Sequence, residues 1–294
     1  MAILTVFTPT YNRAYILKQC YDSLCRQTCK DFIWLIIDDG STDNTKEIVE
    51  KWKLNDNGFE IRYVYKSNGG MHTGHNKAYE LIDTELNVCI DSDDFMTDNA
   101  VEIITEFWKH NKHYKYAGII GLDVFKDGKT VGTDLPKRKS ITVSGFYDNG
   151  GKGDKKLIYR TDIINKYPKY PEFEGEKLVP LSYKYLLIDQ NYELLILNEP
   201  ICVVEYMEDG STKNIFKQYY KNPKGFSFFR KVHMEYDKTL KKKFITCVHY
   251  VSSNFICKNK NFIKESPKKA MTMAAIPFGF MLYRHIIFKS RERR

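Results

Sequence analysis

Three carboxylates, Asp91, Asp93 and Asp94, follow the apolar run Val88-Cys89-Ile90, with only Ser92 among them. Like charges this close repel, and burying them unpaired is costly. A cation relieves both problems. Hard divalent ions such as Mn2+ or Mg2+ take carboxylate oxygens and complete their shells with water and substrate phosphates. Asp91 and Asp93 are two apart, so a strand-to-loop turn can aim both at one ion. The alternative is that Asp93 or Asp94 caps the helix that follows.

Other polar sets carry the same stamp. TPTYNR (8–13) and DDGSTD (38–43) each end an apolar run, and SNGGMHTGHN (67–76) is a glycine-containing loop entering a helix. The elements that would position them alternate. Strands are expected at 3–8, 32–38, 61–66 and 86–91, and helices at 13–28, 43–53, 72–83 and 99–110. FIWLIID is apolar throughout, as a strand covered on both faces must be. This rhythm predicts an α/β fold with a mostly parallel sheet and helices on both faces. Such sheets bind ligands outside the carboxyl ends of their strands, which is where the polar sets fall.

After residue 117 the rhythm changes. AGIIGLDVF reads as a strand and KDGK (126–129) as a hairpin turn. Residues 148–156 form a polar, glycine-rich loop. Helices are expected at 159–166 and 177–188, and strands at 192–197 and 201–206. From about 212 the pattern is helical and basic. The division expected is 1–210 (halves 1–115 and 116–210) followed by a helical extension, 211–294.

TPTYNR, IIDDGSTDNT, NGGMHTGHN and IDSDD, in this order and spacing, resemble family 2 glycosyltransferases of the Rossmann-like GT-A fold. The resemblance covers about residues 3–110 strongly and 150–220 more loosely. It implies a UDP-sugar donor and a divalent metal, Mn2+ or Mg2+. Tyr11 would stack on the base, with Thr8 and Pro9 shaping its pocket. Asp39, with Asp38, would accept a hydrogen bond from uracil. Asn76 and Ser92 would belong to the nucleotide-sugar site, and Asp91 would lie near ribose and diphosphate. Asp93 would hold the metal with Asp91, and Asp94 is a second candidate. Many relatives carry Ala-Arg-Asn where this chain reads Gly74-His75-Asn76. His72, His75 and Lys77 are the available substitutes for that arginine, though histidine is mostly neutral near pH 7.

Sugar transfer also needs a base for the acceptor hydroxyl, an effect of ~10²–10⁴-fold. PEFEGEKLVP (171–180) offers Glu172, Glu174 and Glu176 on one face of an extended segment. Relatives often show Glu-Asp here, with the Asp as base; this chain has Glu176-Lys177. Glu176 is therefore the expected base, with Glu174 next. The bland reading of Glu176 is a first-turn residue favoured by a helix dipole. The resemblance further implies inversion, a UDP-α-sugar giving a β-linkage. Ser211, Thr212 and Lys213 are read as a lid over the diphosphate, or as a solvated loop.

The seven cysteines include no CxxC pair and are read as reduced thiols. The opening AILTVFTPT has no basic n-region and reads as a strand, not a signal peptide. The net charge of +9 is uneven. Residues 213–294 hold 20 Lys+Arg against 4 Asp+Glu. Their apolar stretch 270–288 is broken by Pro277, Gly279, Arg284 and His285, too interrupted to span a bilayer. It suits a segment lying on an anionic membrane, or a core-packed helix with a basic end. The expectation is a cytoplasmic enzyme, peripheral on the inner face of the membrane, acting on a glycan or lipid-linked glycan in cell-surface polysaccharide synthesis. A nucleotidyltransferase lacks support because TPTYNR is no phosphate loop. A nucleic-acid partner is not expected, because the acidic strand ends repel phosphate. A donor-binding protein without turnover is the remaining alternative, raised by Lys177.

Overall fold

The computed structural model describes residues 2–205 and 214–291. The chain divides into two compact units, 1–169 with 184–206, and 170–183 with 207–294. The expected boundary at 210/211 does not account for residues 170–183, which pack with the C-terminal unit.

The first unit opens with β1 (Leu4–Thr10), α1 (Ala14–Cys25), β2 (Phe32–Asp38), α2 (Thr45–Lys53), β3 (Glu60–Tyr65), α3 (Met71–Leu81) and β4 (Leu86–Cys89). These strands are parallel, in the order β3-β2-β1-β4. Every residue of β1 and β2 is buried, as their apolar composition requires. One face is covered by α1 and α2. Leu17, Cys20, Tyr21 and Leu24, at helical spacing, are buried there, and Tyr21 stacks on Trp52 with ring centroids 4.4 Å apart. The other face receives α3, whose His75 and Tyr79 meet the edge of Phe7.

Next come β5 (Phe95–Met96), α4 (Ala100–Asn111), β6 (Tyr116–Val124), β7 (Ser140–Ile141), α5 (Val143–Asp148), β8 (Lys155–Arg160), α6 (Thr161–Ile164), α7 (Ser182–Ile188) and β9 (Glu193–Val203). Here several expectations fail. The helix expected at 159–166 begins only at Thr161, because residues 159–160 finish β8, which runs antiparallel between β4 and β6. That helix is four residues long, and the helix expected from 177 starts only at Ser182. The two strands expected at 192–197 and 201–206 are one continuous β9, paired parallel to β6 through a register shift at Pro200. Period-two and period-3.6 patterns are hard to separate in short apolar runs, and sheet pairing decided them. The KDGK turn is present, with Phe125 N–H donating to the Lys129 carbonyl at 2.8 Å. β8 approaches β6 so closely that a Cβ on Gly118 (φ +147°) would sit 2.0 Å from the Ile158 carbonyl oxygen.

The second unit holds α8 (Ile215–Lys221), α9 (Pro223–Tyr236), α10 (Leu240–Ile256), α11 (Phe262–Glu265), α12 (Lys269–Ala274) and α13 (Ile276–Arg291). Met234, Cys247, Tyr250, Val251, Phe262 and Ala275 form its core. Pro277 falls in the first turn of α13, where its missing N–H costs nothing. All seven cysteines are free thiols. Among the described residues no helix is long and apolar enough to cross a membrane.

Candidate functional site

The loops after β1 and β2 are knitted together. Asn12 adopts φ +52° and accepts Thr42 N–H at 2.7 Å, while its own N–H donates to Ser41 Oγ at 2.9 Å. Asp43 takes the Ala14 N–H at 3.0 Å and the Thr45 hydroxyl at 2.6 Å. Burial works against ionisation there, but these hydrogen bonds hold the Asp43 carboxyl below its ordinary range. Tyr11, beside this junction, is 47 % exposed, open to a flat ligand. Pro9 is buried against Gly74 of α3. Thr8 does not line the cleft. Its hydroxyl takes the Trp34 indole N–H at 3.0 Å, inside the core on the α1 side, because residues alternate faces along β1.

Asp38 and Asp39 are both buried. Asp38 accepts the Ser41 N–H at 2.7 Å and the Tyr63 hydroxyl at 2.6 Å. Asp39 organises the loop after β3. It accepts Lys66 Nζ at 2.5 Å and Gly69 N–H at 2.9 Å on one oxygen, and Gly70 N–H at 2.7 Å on the other. Gly70 has φ +93°, a conformation glycine adopts freely, and it delivers the chain into α3. Lys66 also donates to Thr73 Oγ1 at 2.8 Å. Tyr63 and Lys66 were not singled out in the sequence. Lys66 lies directly before SNGGMHTGHN, so its place at a strand's carboxyl end was the available signal.

The histidines do not replace the missing arginine as cations. His75 is buried, its Nδ1 within 3.1 Å of the Tyr79 hydroxyl and its Nε2 3.6 Å from Cys89 Sγ. Burial pushes its pKa down to about 3, so it is a neutral packing residue. His72 is buried as well, and Lys77 pairs with Glu80 at 3.3 Å on the surface. The cation at this edge is Lys66. Asn76 lines a cleft of about 270 Å³ with Tyr79, Asn165, Tyr167, Lys169 and Lys184.

Past β4 the chain turns sharply, with Asp94 N–H donating to the Asp91 carbonyl at 3.0 Å. Gln19 of α1 reaches across to donate to the Asp93 carbonyl at 2.6 Å. The turn sorts its carboxylates. Asp91 and Asp93 are partly exposed, whereas Ser92 and Asp94 are buried. Asp94, the second metal candidate, faces inward to Lys156 (4.0 Å) and accepts the Glu205 N–H at 3.3 Å. Burial raises the Asp94 pKa to about 8 against the pull of Lys156, and Asp91, Asp93 and Asp123 raise it further. Lys156 is raised as well, because Asp123, Cys202, Asp94 and Asp91 together outweigh its burial. Both shifts report one condition: Asp91, Asp94 and Asp123 share the Lys156 ammonium. Among the described residues no three His, Cys, Asp or Glu side chains converge as a metal cage. The donor set present is two partly exposed hard oxygen ligands in a field of surplus negative charge. That set fits a dication completed by water and phosphate oxygens.

Glu176 lies in the second unit and is fully engaged. Its oxygens accept the Lys224 and Gly225 N–H groups, each at 2.8 Å, at the start of α9. Lys177 N–H donates to Asn222 Oδ1 at 2.8 Å beside it. The expected base is thus a helix cap formed from a remote segment. Ser211, Thr212 and Lys213 lie outside the described residues.

The family model "Glycosyl transferase family 2" matches residues 5–167, more than half the chain. Chondroitin synthase of Pasteurella multocida is 36% identical over 108 residues, 36% of this chain and 11% of that protein. Glycosyltransferase GlyG of Streptococcus pneumoniae serotype 4 is 30% identical over 103 residues, 35% of this chain and 34% of GlyG. The match thus spans a ninth to a third of these relatives. Residues 1–349 of S. aureus TarS, in complex with UDP-GlcNAc, superpose with a TM-score of 0.63 at 18% identity, covering 94% of this chain and 79% of that one. The mannosyltransferase PcManGT of Pyrobaculum calidifontis, in complex with GDP-Man and Mn2+, gives a TM-score of 0.56 at 14% identity, covering 96% and 86%. These two likenesses establish the fold. With the family model spanning the knitted loops, the glycine turn and the acidic turn, the chain belongs to glycosyl transferase family 2.

Proposed function

We propose that the chain moves a sugar from a UDP-sugar to a glycan or lipid-linked glycan in polysaccharide synthesis, with inversion and with a divalent metal. The observation that carries this is the sorting of the acidic turn: two carboxylates partly exposed and a third held inward, on a sheet whose neighbouring strand-end loops Asp38 and Asp39 order. TarS is seen with UDP-GlcNAc and with UDP, and PcManGT with GDP-Man and Mn2+, which supports the donor class and the metal.

In this reading Asp93 and Asp91 hold Mn2+ or Mg2+, which when bound offsets charge on the departing diphosphate. Tyr11 supplies a face for the base. Asp39, already holding Gly69, Gly70 and Lys66, sets the loop that closes the base pocket and brings a cation to that edge. Glu176 orders the 170–183 segment by capping α9.

The C-terminal unit supports a membrane-facing location. Residues 214–291 carry 17 Lys+Arg and 3 Asp+Glu. On α13, Phe278, Phe280, Met281 and Phe288 are each about half exposed or more. At about 100° per residue, Pro277, Met281, Arg284 and Phe288 lie opposite the buried Gly279 and Ile286. Aromatic and aliphatic side chains facing outward among cations suit an anionic lipid interface.

The test is a panel of nucleotide sugars scored by thermal shift, with and without Mn2+. A UDP-sugar that stabilises the protein only with metal, followed by its transfer to a glycan acceptor, is the expected result. Indifference to every UDP-sugar overturns the reading.

A further inference from the structure

Asp94 and Asp123 share one neighbour. Lys156 Nζ lies 3.7 Å from Asp123 Oδ1, 4.0 Å from Asp94 Oδ2 and 3.5 Å from the Cys89 carbonyl oxygen. It is suspended among three oxygens rather than clamped on one. The register makes this possible. Lys156 on β8 pairs with Gly121 on β6, which has no side chain of its own, and Ile201 fills the space beside that glycine. Asp123, two residues on, shares that face. Asp123 Oδ1 is buried without a hydrogen-bond partner; Lys156 at 3.7 Å is its ion-pair partner, and Lys155 adds to the favourable field. Lys156 is buried, its side chain only 11 % exposed. The oxygens it faces are those of the carboxylates and the Cys89 carbonyl, so it acts through them.

We propose that Lys156 is a positioning residue of the donor site, a shared counter-ion that keeps Asp94 and Asp123 inward and makes the dication and the diphosphate load together. The inference rests on the donor-site reading above. A fixed positive charge behind the acidic turn opposes a bare dication and favours an anionic diphosphate. Removing it shifts the two affinities in opposite directions.

The experiment uses the full chain and needs no turnover. Mn2+ binding without nucleotide is followed by the EPR signal of free Mn2+, and UDP binding without metal by calorimetry. Lys156→Met keeps the stem and removes the charge. It is expected to bind Mn2+ about 3- to 10-fold more tightly and UDP about 3- to 10-fold more weakly. Changes of the same sign in both, or no change in either, overturn the proposal. Lys156→Met/Asp123→Asn removes one charge of each sign. It is expected to return both affinities to within about threefold of wild type, and it stands in should Lys156→Met fail to fold. A folded double variant that has lost both ligands also overturns the proposal. Wild-type protein that binds neither Mn2+ nor UDP fails the donor-site reading itself, a result distinct from the others.

Discussion

The Glu176 carboxylate sits 2.8 Å from the Gly225 backbone N–H, with its second oxygen at the same distance from the Lys224 N–H. These are two of the donors that a helix leaves without an internal partner at its start. A carboxylate there also meets the favourable end of the helix dipole. Glu176→Ala should therefore cost about 1–2 kcal/mol of stability, read as a drop in urea midpoint, with transfer falling less than tenfold. A loss of a hundredfold or more at unchanged stability would instead make Glu176 the base.

Asp93→Ala should leave the fold intact, because Asp93 is partly exposed, on a turn. Transfer should fall at least ~100-fold, about 3 kcal/mol in the barrier. The Mn2+-dependent part of UDP stabilisation should vanish while any metal-independent part remains. Undiminished transfer would remove Asp93 from the metal site.

Lys66→Met deprives buried Asp39 of its cation but leaves it two backbone N–H partners. The cost should be about 1–3 kcal/mol, the scale of a lost charged hydrogen bond. Because the same contact fixes the loop entering α3, UDP affinity should fall at least about threefold by calorimetry. A variant with unaltered melting and affinity would show that Lys66 contributes nothing.

His75 sets a pH dependence. Its pKa is about 3 in the folded chain against an ordinary 6.5. Between those values the unfolded chain takes a proton that the native one refuses. Stability from this group is therefore complete above about pH 6.5 and drains as pH falls toward about 3, by about 1 kcal/mol per pH unit. Urea melts at pH 7.5, 6 and 5 should show a shallower decline for His75→Leu than for wild type. Parallel declines would show that His75 does not remain neutral.

The outward face of α13 predicts lipid binding. Wild-type protein should float with vesicles rich in phosphatidylglycerol and stay behind with purely zwitterionic ones. Replacing Phe278, Met281 and Phe288 together by Ser should reduce the floated fraction at least about threefold without lowering the melting temperature, since all three are about half exposed or more. Equal flotation by the variant would exclude this face. A shift from dimer to monomer in the variant would mean that a second copy covers it.

Much of the site's inventory was legible in the sequence. Periodicity and apolar runs gave β1 to β4 and the helices between them, because a parallel strand buried on both faces cannot be polar and its helices must show one apolar stripe. Order and spacing then put Tyr11, Asp38, Asp39, Asp91 and Asp93 at strand ends. What a linear pattern does not contain is which side chain faces which. Thr8 turned into the core because strand residues alternate. His75 became neutral because α3 lays it on Phe7. Asp94 turned inward to Lys156, and β8 began at Lys155 where the expected loop 148–156 was to end, because only sheet pairing brings residue 156 beside residues 94 and 123. Glu176 became a cap through donors nearly fifty residues away. The sequence by itself determined the charges and the elements that carry them; burial and long-range partners, which tertiary structure alone supplies, decided which charges face solvent and which are held inside.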